Sequence, residues 1–122
     1  MIDKRSLAGT ILGALRAARG VTQNLIANDC GRSISYISTW ENHQTDIPPR
    51  LISVYAKYTK IPESHIWELI QYWDQQYSAY REQFGNILEI PSYHERLSLQ
   101  LRQEYYQPPL NPRTRRTLER KI

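Results

Sequence analysis

From Ile66 to Phe84 the apolar residues Ile66, Ile70, Trp73, Tyr77, Tyr80 and Phe84 recur at intervals of 4, 3, 4, 3 and 4. That spacing draws one continuous stripe along an α-helix. A strand does not reproduce it, because strand faces alternate with period two. Pro62 precedes the stripe and Gly85-Asn86 follows it, which predicts a single long helix over residues 63–84. The stripe has to be covered, either by earlier helices of the same chain or by the same helix in a second subunit. Four of its six residues are aromatic, more than a small domain needs for its own core, so the expectation is a homodimer joined through these six side chains.

The remainder of the chain is also punctuated as helices. Leu7, Ile11, Leu12, Leu15 and Ala18 follow Ser6, a good N-cap, and stop before Gly20, predicting a helix over residues 7–19. Thr22 caps a second helix of about two turns, with Leu25 and Ile26 as apolar anchors, that ends at Gly31. Ser33 caps a third carrying Ile34, Ile37 and Trp40. Pro49 opens a fourth with Leu51, Ile52, Val54, Tyr55 and Tyr58. Ser92 and Glu95 have the spacing of a capping box, predicting that a last helix starts there and runs through Leu97, Leu101 and Tyr105. The expected fold class is all-α, with domain boundaries at residues 1–70, 71–107 and 108–122, the last a basic and flexible tail.

Charge is unevenly distributed. Residues 1–70 carry 8 basic and 6 acidic side chains, residues 71–101 carry 2 and 4, and residues 102–122 carry 6 and 2. The net +4 therefore resides in the first domain and the tail, a balance that permits nucleic acid binding, while the acidic middle suits protein contacts. Cys30 is the single cysteine, so no internal disulfide forms. No run approaches the roughly 20 apolar residues of a membrane span, and a cytoplasmic protein is expected. His43, His65 and His94 are scattered, and there is no Gly-rich phosphate loop, paired-carboxylate motif or metal-ligand spacing. Neither an enzyme nor a cofactor or metal is expected.

Two short helices joined by a tight turn, the second rich in Ser and Thr, are the layout that lets one helix enter a major groove. Residues 9–70 resemble the phage-repressor and Cro-type helix-turn-helix family, also called the xenobiotic-response-element family. The likeness is carried by Leu15-Arg16, the junction Arg19-Gly20-Val21-Thr22-Gln23, Ala27, Gly31, Ser33, the run Ile37-Ser38-Thr39-Trp40-Glu41, and Ile61 to Leu69. It implies a five-helix lambda-repressor-like domain, here with a C-terminal helical extension.

The same resemblance assigns roles. Gln23 matches a position that holds a phosphate at a helix N-terminus. Ser33, Ile34, Ser35, Tyr36 and Thr39 match the outward face of the recognition helix, with Tyr36 against a sugar or phosphate. Ile34 replaces a polar residue common there and has two readings: contact with a thymine methyl group, or burial against the preceding helix. Asn42, Gln44 and Arg50 match backbone-contacting positions, although His43 stands where the family often has Gly. Arg16 and Glu41 match a structural ion pair. No Arg or Gln on the recognition face offers bidentate readout, so part of the specificity is expected from DNA shape or from elsewhere in the chain.

Arg113, Arg115 and Arg116 in the tail are candidates for a second DNA contact. The expected partners are double-stranded DNA and a second copy of the chain. The expected function is transcriptional regulation, most simply repression of the mobile-element or phage type. The competing expectation is an antitoxin-like or coactivator-like module that binds a protein through its C-terminal helices.

Overall fold

The computed structural model describes residues 7–43, 48–84 and 90–107, which form helices α1 (Ala8–Ala18), α2 (Gln23–Cys30), α3 (Ile34–His43), α4 (Pro49–Thr59), α5 (Glu63–Phe84) and α6 (Ile90–Glu104). No strand occurs among the described residues, and none of their helices is long and apolar enough to cross a membrane.

Local chemistry accounts for the ends of these helices. α1 and α2 both close in a Schellman turn. Gly20 and Gly31 take φ near +69 and +67, while Val21 N–H donates to Arg16 O and Arg32 N–H to Ala27 O, each at 3.0 Å. Thr22 then accepts from Leu25 N–H at 3.2 Å and so caps α2 immediately after the first of these turns. α4 ends on Lys60 in the same left-handed region, at φ 65, with its N–H on Ala56 O. α1 is capped from a distance: its N-cap residue Leu7 has no capping side chain, and Asp74 on α5 accepts the Leu7 N–H at 3.0 Å. A carboxylate at this helix N-terminus also opposes the helix dipole favourably. The expected cap, Ser6, lies outside the described residues.

α1 is the centre of the molecule. Ala8, Ile11, Leu12, Ala14, Leu15 and Ala18 are all buried, so the helix is apolar nearly all round and needs cover on every side. α3, α4, α5 and α6 all pack on it. Leu97 and Leu101 of α6 join one core cluster with Ile26, Ile37, Trp40, Ile52 and Tyr55. Residues 90–107 therefore complete the core of the first seventy rather than forming an appendage to it. The C-terminal end of α6 is tied down where α1 and α4 finish. Arg19 donates from Nε to Tyr105 O at 2.8 Å and from Nη1 to Thr59 O at 3.1 Å, and Gln107 N–H donates to Ala18 O at 3.1 Å.

Two expectations change. The stripe on α5 was expected to meet a second subunit, yet Ile66, Ile70 and Tyr77 are buried within the chain itself. α5 packs on α1 and α4, and its aromatic end meets α6: the Tyr77 ring lies 5.0 Å from that of Tyr93 and 5.5 Å from that of His94, and Tyr80 lies 4.9 Å from Tyr93. Trp73 and Tyr80 remain half-buried, and the Phe84 side chain lies outside the described residues. The reason is that α1 is apolar nearly all round and needs cover from its own chain, and α5 supplies part of that cover while packing on α4 as well. The second change concerns α6, which begins at Ile90, so Ser92 lies inside the helix instead of capping it.

Candidate nucleic-acid interface

One buried carboxylate organises the α2–α3 unit. Glu41, near the end of α3, accepts four hydrogen bonds, two on each oxygen. Arg16 donates from Nε to Oε2 at 2.8 Å and from Nη2 to Oε1 at 3.0 Å, Gln23 Nε2 donates to Oε1 at 3.1 Å, and the Tyr55 hydroxyl donates to Oε2 at 2.6 Å. Arg16 also donates from Nη1 to Val21 O at 2.9 Å, reaching the α1–α2 turn. Four helices thus converge on one side chain, and the angle between α2 and α3 is set by charge-assisted bonds as well as by packing.

The electrostatics follow from that geometry. Burial pushes the Tyr55 hydroxyl far above its usual range, and the adjacent Glu41 carboxylate adds to the effect by its charge and its hydrogen bond. For Arg16, burial acts to lower the pKa, but the hydrogen bonds and charge of Glu41 outweigh it and hold the guanidinium above its ordinary value. Gly13 on α1 lets the carboxylate in: a Cβ there would stand 3.0 Å from Glu41 Oε1. Trp40 stacks on the Tyr55 ring, the two centres 5.9 Å apart.

With the unit fixed this way, the outward face of α3 is open. It packs on α1 and α2 and on neither α5 nor α6. Ser35 and Thr39, four residues apart, and Asn42, three further on, lie along one exposed stripe. Tyr36 is 37% exposed and Ile34 49%, so Ile34 does not fold back against α2 as core. Ser33 caps α3 as its position in the sequence predicts, its Oγ accepting from Tyr36 N–H at 3.1 Å. Asn42 donates from Nδ2 to Ser38 O at 2.8 Å, so one of its donors is already committed within the helix. Gln23 carries a contact that its expected role does not include. Its amide turns toward Glu41 instead of standing free at the N-terminus of α2.

Arg50 is exposed in the first turn of α4, where no acidic side chain offsets it. Its charge acts weakly on Asp29, whose carboxyl is held below the usual range mainly by hydrogen bonds from Lys57 at 2.9 Å and Tyr58 at 2.7 Å. Gln44, Arg113, Arg115 and Arg116 lie outside the described residues.

Sequence reading passed over Arg32. It is exposed in the turn just ahead of α3, and its guanidinium lies 4.9 Å from the centre of the Tyr36 ring. A cation–π contact of this kind holds a flexible cation at the start of α3. The signal was the four-residue spacing of Arg32 and Tyr36, which puts them on one side of the helix start.

Among the described residues no group of three or more His, Cys, Asp or Glu is placed to hold a metal ion. Comparison with protein-family models, with curated proteins and with solved structures gives no match.

Proposed function

We propose that this chain is a sequence-specific double-stranded DNA-binding protein of the phage-repressor and Cro type. Its helices α1 to α5 take the five-helix lambda-repressor-like arrangement, and α3 enters the major groove. The observation that carries the reading is the exposed, acid-free face of Ser35, Tyr36 and Thr39 on a helix whose orientation is locked by the Glu41 network. Arg32 and Arg50, both exposed, flank that unit with the charge that phosphates require. Ser35 and Thr39 approach base edges, Arg50 holds the backbone, and Arg113, Arg115 and Arg116 add a second backbone contact. The protein acts by occupancy, as a cytoplasmic transcriptional regulator and most simply a repressor, without catalysis or cofactor.

A homodimer on a two-fold site belongs to the same proposal, with recognition helices about 34 Å apart. Its contact surface lies outside Ile66, Ile70 and Tyr77, which the monomer already buries. Exposed Tyr72, set edge-on to Trp73 at 5.1 Å, favours a secondary reading in which this side of α5 meets a protein.

Selection of bound sequences from random duplex DNA, followed by salt titration on the best site, tests the proposal. Thr39→Ala or Ser35→Ala should relax preference at one base position per half-site. Arg50→Ala should weaken all duplexes alike and reduce the salt slope by about 1. Removal of residues 111–122 should lower the slope further. Recovery of no enriched sequence, or an equal loss on all sequences from all three substitutions, contradicts the assignment.

A further inference from the structure

We propose that α3 recognises thymine through its 5-methyl group, with Ile34 as the contacting side chain, so that the preferred site carries a T·A pair where Ile34 meets the major groove. This inference rests on the DNA-binding reading above and narrows it to one base and one kind of contact.

Ile34 is the first residue of α3, and the Ser33 cap fixes the backbone at that point. Half of its surface faces solvent, and no later helix among the described residues packs on α3 to cover it. Isoleucine in a helix has one strongly preferred χ1 rotamer, so the exposed methyl groups are held in one direction and little freedom is lost when something covers them. The polar neighbours on the open face discriminate poorly. Ser35 and Thr39 both donate and accept, and Asn42 has a donor committed to Ser38 O. What the face offers that is selective is an apolar surface.

In the major groove the thymine C5-methyl is the apolar feature that distinguishes T·A from the other pairs, and cytosine has only hydrogen at that position. The charge around Ile34 selects duplex over an apolar protein partner. Arg32 stands two residues before it, exposed and braced on Tyr36, and the carboxylate of α3, Glu41, is turned inward to Arg16, Gln23 and Tyr55. A polyanion fits such a surface, whereas an apolar protein face would leave the exposed cation without a counter-charge.

The experiment uses the full chain and the best duplex from selection, with thymines in each half-site replaced one at a time by uracil. Uracil keeps every hydrogen-bonding group of thymine and removes only the methyl. One position should show binding about three- to fivefold weaker, the worth of one buried methyl group. Ile34→Ser, an exposed change whose folding is checked by its melting temperature, should bind the thymine and uracil duplexes equally. The inference is overturned if the wild-type protein is indifferent to uracil at every position, or if Ile34→Ser keeps the uracil penalty. In both cases specific binding of the parent duplex persists and the DNA reading stands. If no duplex is bound above the non-specific level, the DNA reading itself fails and this inference goes with it.

Discussion

Tyr55 donates its phenolic hydrogen to Glu41 Oε2 at 2.6 Å, joining α4 to the end of α3 inside the core. Both residues are buried, so the bond is made out of reach of water and its loss is not compensated by solvent. Tyr55→Phe leaves the Glu41 carboxylate with three donors, and the expected cost is about 1–3 kcal/mol by chemical denaturation. A variant as stable as the parent would show that the contact adds nothing.

The same pair predicts alkaline behaviour. Burial and the Glu41 carboxylate keep the Tyr55 hydroxyl protonated well above its ordinary range. The unfolded chain releases that proton near pH 10, so the folded state binds more protons above this point. The contribution is therefore fully present below about pH 10 and is lost as pH rises, at up to about 1.4 kcal/mol per pH unit from this group. Thermal melts of the parent and Tyr55→Phe should converge as pH rises toward about 11. A constant gap across that range refutes the assignment.

Arg16 and Glu41 form an ion pair with little of either side chain exposed, so removing one partner leaves a buried charge. Arg16→Ala should destabilise by about 3 kcal/mol, and Arg16→Met combined with Glu41→Leu by much less. Equal losses from the single and the double change would mean that the uncompensated charge is not the cause.

Gly13→Ala normally gains about 1 kcal/mol in a helix. Here the new Cβ would approach Glu41 Oε1 to 3.0 Å, and four donors hold that oxygen's carboxylate in place. The expected outcome is a net loss of about 1–2 kcal/mol in the parent and a net gain once Glu41 is alanine. The same sign in both backgrounds rules out the steric explanation.

Leu101 is fully buried between α6 and the rest of the core, and Leu101→Ala should cost about 2–5 kcal/mol. Arg19→Ala should act locally, speeding hydrogen exchange at the Gln107 amide, which bonds to Ala18 O, while leaving the α3 face unchanged. If Leu101→Ala melts like the parent, α6 is not part of the cooperative unit.

The Glu41 network shows how far spacing in a sequence reaches. Arg16 and Glu41 were paired in advance through a resemblance, and the structure brings them together at 2.8 Å. Gln23 lies at the expected helix end, and its amide serves a nearby buried carboxylate, a partner that its spacing does not reveal. Tyr55 was identified only as an apolar anchor. Nothing in its spacing shows that its hydroxyl lies within reach of a residue fourteen positions earlier.

The α-helical class, the punctuation by Gly20, Gly31 and Pro49, and the extent of α5 over Glu63–Phe84 are local matters, written in backbone preference and in the 3.6-residue period that each segment carries alone. Which surface covers the stripe of Ile66, Ile70 and Tyr77 is not local. A stripe marks surface that must leave water, but the hydrophobic effect has no direction and does not name the partner. That choice came from three-dimensional packing, where α1 required cover nearly all round and α6 supplies part of it.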